Sequence, residues 1–179
     1  MSKSKMEIRL TGSGGQGIIL ATIILAEAAI EAGKFTAQSQ SYGPEARGGL
    51  CKAEVIVDEE PIGFTKVQNP TFLMALTQAS LDKFAKTVDR DCIILVDSSL
   101  KVPEYLNAAN VTKAPILETA TKKVGKAFTA NIVAVAAINK LLGLVDYEHL
   151  KTAVLRHVPK GTEAINEKAL LEGQALIAE

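Results

Sequence analysis

The sequence is poor in cysteine: two, Cys51 and Cys92, in 179 residues. Each lies inside an apolar, strand-like run far from the other, and both read as buried structural thiols. Two such thiols make no disulfide framework, so a reducing, cytoplasmic compartment fits. Charge imbalance is also lacking, with Lys plus Arg and Asp plus Glu at 20 each. Long-range attraction to nucleic acid or to an anionic membrane is therefore not expected, and association with other chains is mildly favoured. No long apolar run is present either. Ile18–Ile30 is interrupted by Thr22 and Glu27, and Ala127–Ile138 carries Thr129 and Asn131. Neither reaches the roughly 18 apolar residues of a membrane span. Met1–Lys5 is short and polar, with no cleavage site, so no signal peptide is expected. There are two histidines, His149 and His157. Their spacing allows one helical face, but no third ligand accompanies them, and a metal site is not expected. Repeats, low-complexity tracts and linkers are missing, which predicts one domain over residues 1–179.

What is there is an alternation of strand and helix signals. Glu7–Thr11 reads as a strand that stops at glycine. Ile18–Ala32 reads as a helix buried on more than one side, closed by Gly33. Thr36–Ser41 is a second strand, expected beside the first. Ala53–Val57 is a third, with Pro61–Phe64 returning as its hairpin partner. Phe72–Leu76, Ile93–Val96 and Pro115–Leu117 read as strands, and Gln78–Thr87 as a helix. Lys122–Leu142, Tyr147–Arg156 and Glu163–Ile177 complete the chain as helices. This order predicts an α/β fold: a layered, mainly parallel or mixed sheet flanked by helices, with a Rossmann-like opening of strand, glycine loop and helix.

Gly12-Ser13-Gly14-Gly15-Gln16-Gly17 forms that loop. Glycines let the backbone turn sharply and let a ligand approach the main chain. Free N–H groups at the following helix start, with the helix dipole, favour an anion there. Gly12, Gly14 and Gly17 satisfy the dinucleotide pattern, but the second strand ends Gln38-Ser39-Gln40-Ser41, without the acid that holds a ribose. A phosphate loop of the triphosphatase type needs Lys and Ser or Thr after its last glycine, where Ile18 and Ile19 stand. A tight turn that needs glycine only for packing stays open.

Ser39–Gly49 is a second polar island. Loops after strand ends line the ligand crevice of an open α/β sheet, so the two glycine-containing loops are expected to face each other. Arg47 suits bidentate pairing with a carboxylate or phosphate, and Tyr42 suits stacking or a hydrogen bond. A solvated surface loop is the plainer alternative. Asp97, at a strand end, suits either the crevice or a turn cap. Asn131, inside an apolar helix, is expected to satisfy a buried hydrogen bond, with a place in the site as the alternative.

Taken together, Gly12–Gly17 after the first strand and the Tyr42-Gly43-Pro44-Glu45-Ala46-Arg47-Gly48-Gly49 core resemble the gamma subunit of 2-oxoacid:ferredoxin oxidoreductases. Asn69–Leu76, Leu95–Ser99 and the alanine-rich helix around Asn131 fit the same pattern, so the resemblance covers nearly the whole chain. Gln38–Tyr42 looks closer to the 2-oxoglutarate and branched-chain members than to the pyruvate members.

The resemblance implies a multi-subunit enzyme that oxidatively decarboxylates a 2-oxoacid, passes the acyl group to coenzyme A and reduces ferredoxin. It places thiamine diphosphate, magnesium and iron–sulfur clusters on partner subunits: alpha, beta and a ferredoxin-like delta. Two cysteines cannot supply four thiolate ligands, in keeping with that division. This chain is then a non-catalytic component whose Gly12, Ser13, Gly14, Gly15, Gln16, Gly17, Ser41, Tyr42, Glu45 and Arg47 contact coenzyme A or a partner subunit. A subunit exposes apolar surface, so the isolated chain is expected to dimerise or aggregate. A free-standing nicotinamide- or flavin-dependent oxidoreductase and a non-catalytic scaffold are the competing readings.

Overall fold

The computed structural model describes residues 5–42 and 49–178, and only the backbone of Tyr42. Glu45 and Arg47, with the rest of the segment 43–48, lie outside the described residues. Strand β1 (Met6–Ser13) runs through the middle of a six-stranded sheet and leads through the glycine loop into helix α1 (Ile18–Glu31). The predicted close of α1 at Gly33 is seen in full. Gly33, at φ 83°, donates to Ile30 O, and Lys34 donates to Ala29 O. That pair of bonds satisfies two terminal carbonyls in a turn that glycine adopts without strain.

The chain then returns through β2 (Phe35–Tyr42) and β3 (Leu50–Asp58). Next come β4 (Phe72–Ala75), α2 (Gln78–Phe84), β5 (Ile93–Asp97) and β6 (Val111–Ala114). The sheet order is β2-β3-β1-β4-β5-β6. β1, β4, β5 and β6 are parallel, whereas β3 is antiparallel to both its neighbours.

This topology corrects three expectations. The second strand does not lie beside the first, because β3 inserts between them. The hairpin partner of β3 is β2, not Pro61–Phe64, which forms no strand. Pro61 lacks a ladder donor and Gly63 a packing side chain, so the segment cannot compete for the sheet. The sixth strand precedes Pro115 instead of including it, and Ile116 already begins the short helix α3 (Ile116–Glu118).

The C-terminal part is helical but less continuous than predicted. Thr119–Val124 is a wide π turn that Gly125, at φ 89°, ends. A 3-10 turn, Ala127–Thr129, then leads into α4 (Ala130–Leu142). α5 (Tyr147–His157) and α6 (Glu163–Gln174) follow. α4 is buried at every position from Ala130 to Asn139. Its contact with α6 is close enough that a Cβ on Gly173 would lie 2.4 Å from Val133 O.

One face of the sheet carries Ile8, Leu10, Val55, Phe72 and Met74 against α1 and the C-terminal helices. The other carries Leu73, Ala75, Ile94 and Val96, which pack with Leu81 of α2 into a smaller apolar cluster. Cys92 is buried as predicted, but Cys51, in β3, is only partly so.

Candidate functional site

β2 and β1 are both antiparallel to β3, so they point the same way and their C-terminal ends share one edge of the molecule. The glycine loop and the end of the second polar island meet there, where Gly14 N donates to Gly49 O at 3.0 Å. Of the expected juxtaposition of the two loops, the described residues show the contact of Gly14 with Gly49, made through β3 rather than through direct strand neighbourhood.

Gly12 and Ser13 end β1, and Gly14 and Gly15 form the exposed turn. Gln16 folds back over the loop: its Oε1 accepts from Ser13 N at 2.8 Å, and its N–H donates to Ser13 O. A Cβ on Gly12 would lie 2.4 Å from that Oε1. Gln16 thus braces the loop from inside, which the sequence pattern alone does not reveal. Gly15 (φ 91°) and Gly17 (φ 72°) take conformations that L side chains avoid. Gly17 is also the residue before α1, which starts with no side-chain cap and no acid in its first turn. Helix donors at such an end need an acceptor, and the dipole prefers an anionic one.

Ser41 is exposed near the end of β2, opposite Lys52, and the Tyr42 backbone pairs with Cys51. Asp97 is taken up by the fold. Its Oδ1 accepts from Ser99 N and Oγ, and its Oδ2 from Leu117 N at 2.9 Å. It is 2% exposed, so it caps the turn after β5 and the start of α3. Asn131 departs from the expected buried hydrogen bond. Its side chain lies against Gly17, with no hydrogen bond among the described residues.

Two further polar groups escape a reading of the sequence. Arg9 and Glu54 form a buried pair on the α2 side of the sheet with the half-buried Lys52 at its rim: Arg9 Nε donates to Glu54 Oε1 at 2.6 Å, and Lys52 Nζ is 3.4 Å from the same oxygen. On α5, His157 pairs with Glu27 while Arg156 pairs with Glu27 and Glu31, tying that helix to α1. Burial opposes ionisation of Glu27, but the bonds from His157 and Arg156 outweigh it and hold the carboxyl below its usual range. A cavity of about 740 Å³ opens at the other end of the sheet, before β5, lined by Lys86, Arg90, Cys92 and Tyr105 among others. None of the sequence-predicted site residues lines it.

The family model for pyruvate ferredoxin/flavodoxin oxidoreductase matches residues 7–176. The chain is 41% identical to the 2-oxoglutarate synthase subunit KorC of Methanocaldococcus jannaschii, over 99% of this chain and 96% of that one. Its fold superposes on the keto/oxoacid ferredoxin oxidoreductase gamma subunit of Geobacter sulfurreducens with a TM-score of 0.84, at 41% identity over 96% of this chain and 95% of the other. The 2-oxoglutarate:ferredoxin oxidoreductase of Magnetococcus marinus, at 20% identity, shares the fold with a TM-score of 0.86. There the match spans 98% of this chain and 31% of the longer one. The chain belongs to the pyruvate ferredoxin/flavodoxin oxidoreductase family.

Proposed function

We propose that the chain is the gamma-type subunit of a 2-oxoacid:ferredoxin oxidoreductase, with 2-oxoglutarate as the 2-oxoacid, and has no turnover alone. The observation that carries this reading is the match along almost its whole length to a 2-oxoglutarate synthase subunit. The assembled enzyme would oxidise 2-oxoglutarate, release CO2, pass the succinyl group to the coenzyme A thiol, and send the electron pair through iron–sulfur clusters to ferredoxin. Thiamine diphosphate with magnesium would supply the decarboxylation chemistry from the alpha and beta subunits, and a ferredoxin-like delta subunit would carry clusters. A cytoplasmic location follows from that reading. No helix among the described residues is long and apolar enough to cross a membrane.

Within that assembly this chain's part is binding and positioning. Gly12–Gly17 is read as a cradle for coenzyme A phosphates, supported by the uncapped start of α1 and by glycines that open the main chain to a ligand. Ser41, Tyr42, Glu45 and Arg47 are proposed to complete the same edge. The alternative for these residues is contact with a partner subunit, which one observation favours: Phe128 stands 62% exposed just ahead of α4, whose Asn131 lies on Gly17.

Two experiments test the reading. Anaerobic affinity purification from the native host should bring thiamine- and cluster-bearing subunits with this chain, and that complex should oxidise 2-oxoglutarate faster than pyruvate. A chain recovered alone would defeat the subunit assignment. In the complex, Gly15→Asp should raise the KM for coenzyme A well above that of Gly15→Ala. Both must take a positive φ, which Asp tolerates at least as well as Ala, and only Asp adds charge to an open surface position. Equal KM values for the two variants would remove coenzyme A from this loop.

A further inference from the structure

Gly17 is closed to side chains twice over. Its φ is 72°, and a Cβ placed on it would lie 2.5 Å from Asn131 Nδ2 and 2.8 Å from Asn131 Cγ. The amide of Asn131 therefore rests on the Cα of the residue that opens α1. Asn131 is 7% exposed, in the first turn of α4, and makes no hydrogen bond among the described residues. A buried amide without a partner is costly and uncommon in a native fold. Its polar atoms are not sealed in, because the fully enclosed side-chain atom lacking a partner among the described residues is His149 Nδ1. They retain an opening to the surface.

Nothing described nearby serves as the acceptor. The first turns of α1 and α4 contain no acid, and neither helix has a side-chain cap. Gln16 is engaged within the loop through Ser13 N. Positive helix ends, an amide with donors to give and no internal anion therefore converge on one point.

We infer that the Asn131 side-chain amide is a direct phosphate-oxygen donor at the Gly12–Gly17 edge, and that Gly17 is glycine so that α4 can present this amide beside the α1 N-terminus. This rests on reading the loop as an anion site. It adds a side chain from the C-terminal half of the chain to a site otherwise made of backbone. The chemistry recognised is a phosphate or diphosphate, whether free or as part of coenzyme A.

The test uses the full chain and the assembled complex, with inorganic pyrophosphate, coenzyme A and pantetheine as probes. Wild type, Asn131→Ser, Asn131→Ala and Asn131→Asp are compared by calorimetric titration at low salt, with thermal melts to confirm folding. Pyrophosphate and coenzyme A should bind wild type, and pantetheine, which lacks phosphate, should not. Asn131→Ala should weaken binding about tenfold to a hundredfold, the range for losing a hydrogen bond to a charged group. Asn131→Asp should weaken it further by repulsion, and Asn131→Ser, which keeps a donor, should fall between wild type and Ala. A merely structural amide would change melting temperature and leave this order of affinities unseen.

Folded Ser and Ala variants with wild-type affinity for pyrophosphate and coenzyme A would overturn the inference. If Gly15→Asp raises the coenzyme A KM of the complex while Asn131→Ala does not, the proposed function survives and the Asn131 assignment falls. If Asn131 variants lose pyrophosphate while the coenzyme A KM ignores both positions, the phosphate donor stands and the coenzyme A reading falls.

Discussion

Three glycines separate backbone strain from lack of space, and replacing each by alanine measures the two terms. Gly15 has φ 91° with nothing within 4 Å of where a Cβ would stand, so only conformation opposes alanine. That strain is worth about 1–2 kcal/mol. Gly173 has no positive φ, but its Cβ would lie 2.4 Å from the Val133 carbonyl oxygen. α6 must then move off α4, an overpacking cost of about 1–3 kcal/mol, reduced by the roughly 0.5–1 kcal/mol that alanine gains over glycine in a helix. Gly17 combines both faults, so Gly17→Ala should lose about 2–5 kcal/mol. Denaturant unfolding followed by circular dichroism gives each loss from the shift in midpoint at constant slope. The decisive step is to repeat Gly17→Ala in an Asn131→Ala background. Shortening Asn131 removes Nδ2 and Cγ, the two atoms the new methyl would strike hardest, and leaves only Cβ, at 3.0 Å, and φ untouched. The double variant should recover the steric share, with a coupling of about 1–3 kcal/mol. Equal losses for Gly15→Ala and Gly17→Ala, or additivity within about 0.5 kcal/mol, would refute the packing of Asn131 on Gly17.

Other outcomes follow from the buried polar groups. Burial opposes ionisation of Glu7, but Lys5 and the backbone N–H groups of Gln68 and Asn69 outweigh it and hold its carboxyl below the usual range. Its contribution is therefore complete above the unfolded-state value, about pH 4.3, and lost as pH falls through the lower folded value. Glu7→Gln should cost about 1–3 kcal/mol near pH 7, and the difference from wild type should shrink in acid; a gap independent of pH counts against the argument. Arg9→Met should cost about 1.5–3 kcal/mol, the loss of a bond to a charged group, because Lys52 stays 3.4 Å from the Glu54 oxygen that Arg9 gives up, and adding Glu54→Leu should restore much of it; a double variant no better than the single would show that the pair is not the source. Burial pushes the Cys92 thiol up to about 11 and raises Cys51 as well. Mass spectrometry of iodoacetamide-treated native protein at pH 8 should therefore show Cys51 labelled before Cys92, both slowly; Cys92 labelled first would contradict the burial.

Much of the fold can be read where a local rule and the tertiary environment agree. β1, α1 and the Gly33 close are legible because strand alternation, an apolar helix and a positive-φ glycine each act within a few residues. Strand order is not. Whether β3 inserts between β1 and β2 depends on pairings between distant segments, and the short-range hairpin signal at Asp58–Glu60 points to the wrong partner. The break in the predicted helix Lys122–Leu142 is a different failure. Gly125 carries the signal, but the apolar run on both sides masks it until φ 89° places the turn there.

The site shows the same boundary. The glycine loop can be found because its requirement is local: residues that must take positive φ or leave the main chain bare have to be glycine. Glu7 and Arg9 cannot be read as buried, since polar residues alternating along a strand look like a solvated face. Partners from elsewhere cover them, in Gln68, Asn69, Glu54 and Thr87. Asn131 is the sharper case. From sequence it is one amide in an alanine-rich helix, where an internal hydrogen bond is the economical expectation. Only the close approach of α4 to the α1 N-terminus turns it toward the loop and leaves its amide without a partner. The proposed phosphate edge would thus be assembled from both halves of the chain, and a change within α4, far from the glycine motif in sequence, should register there as directly as one in the loop.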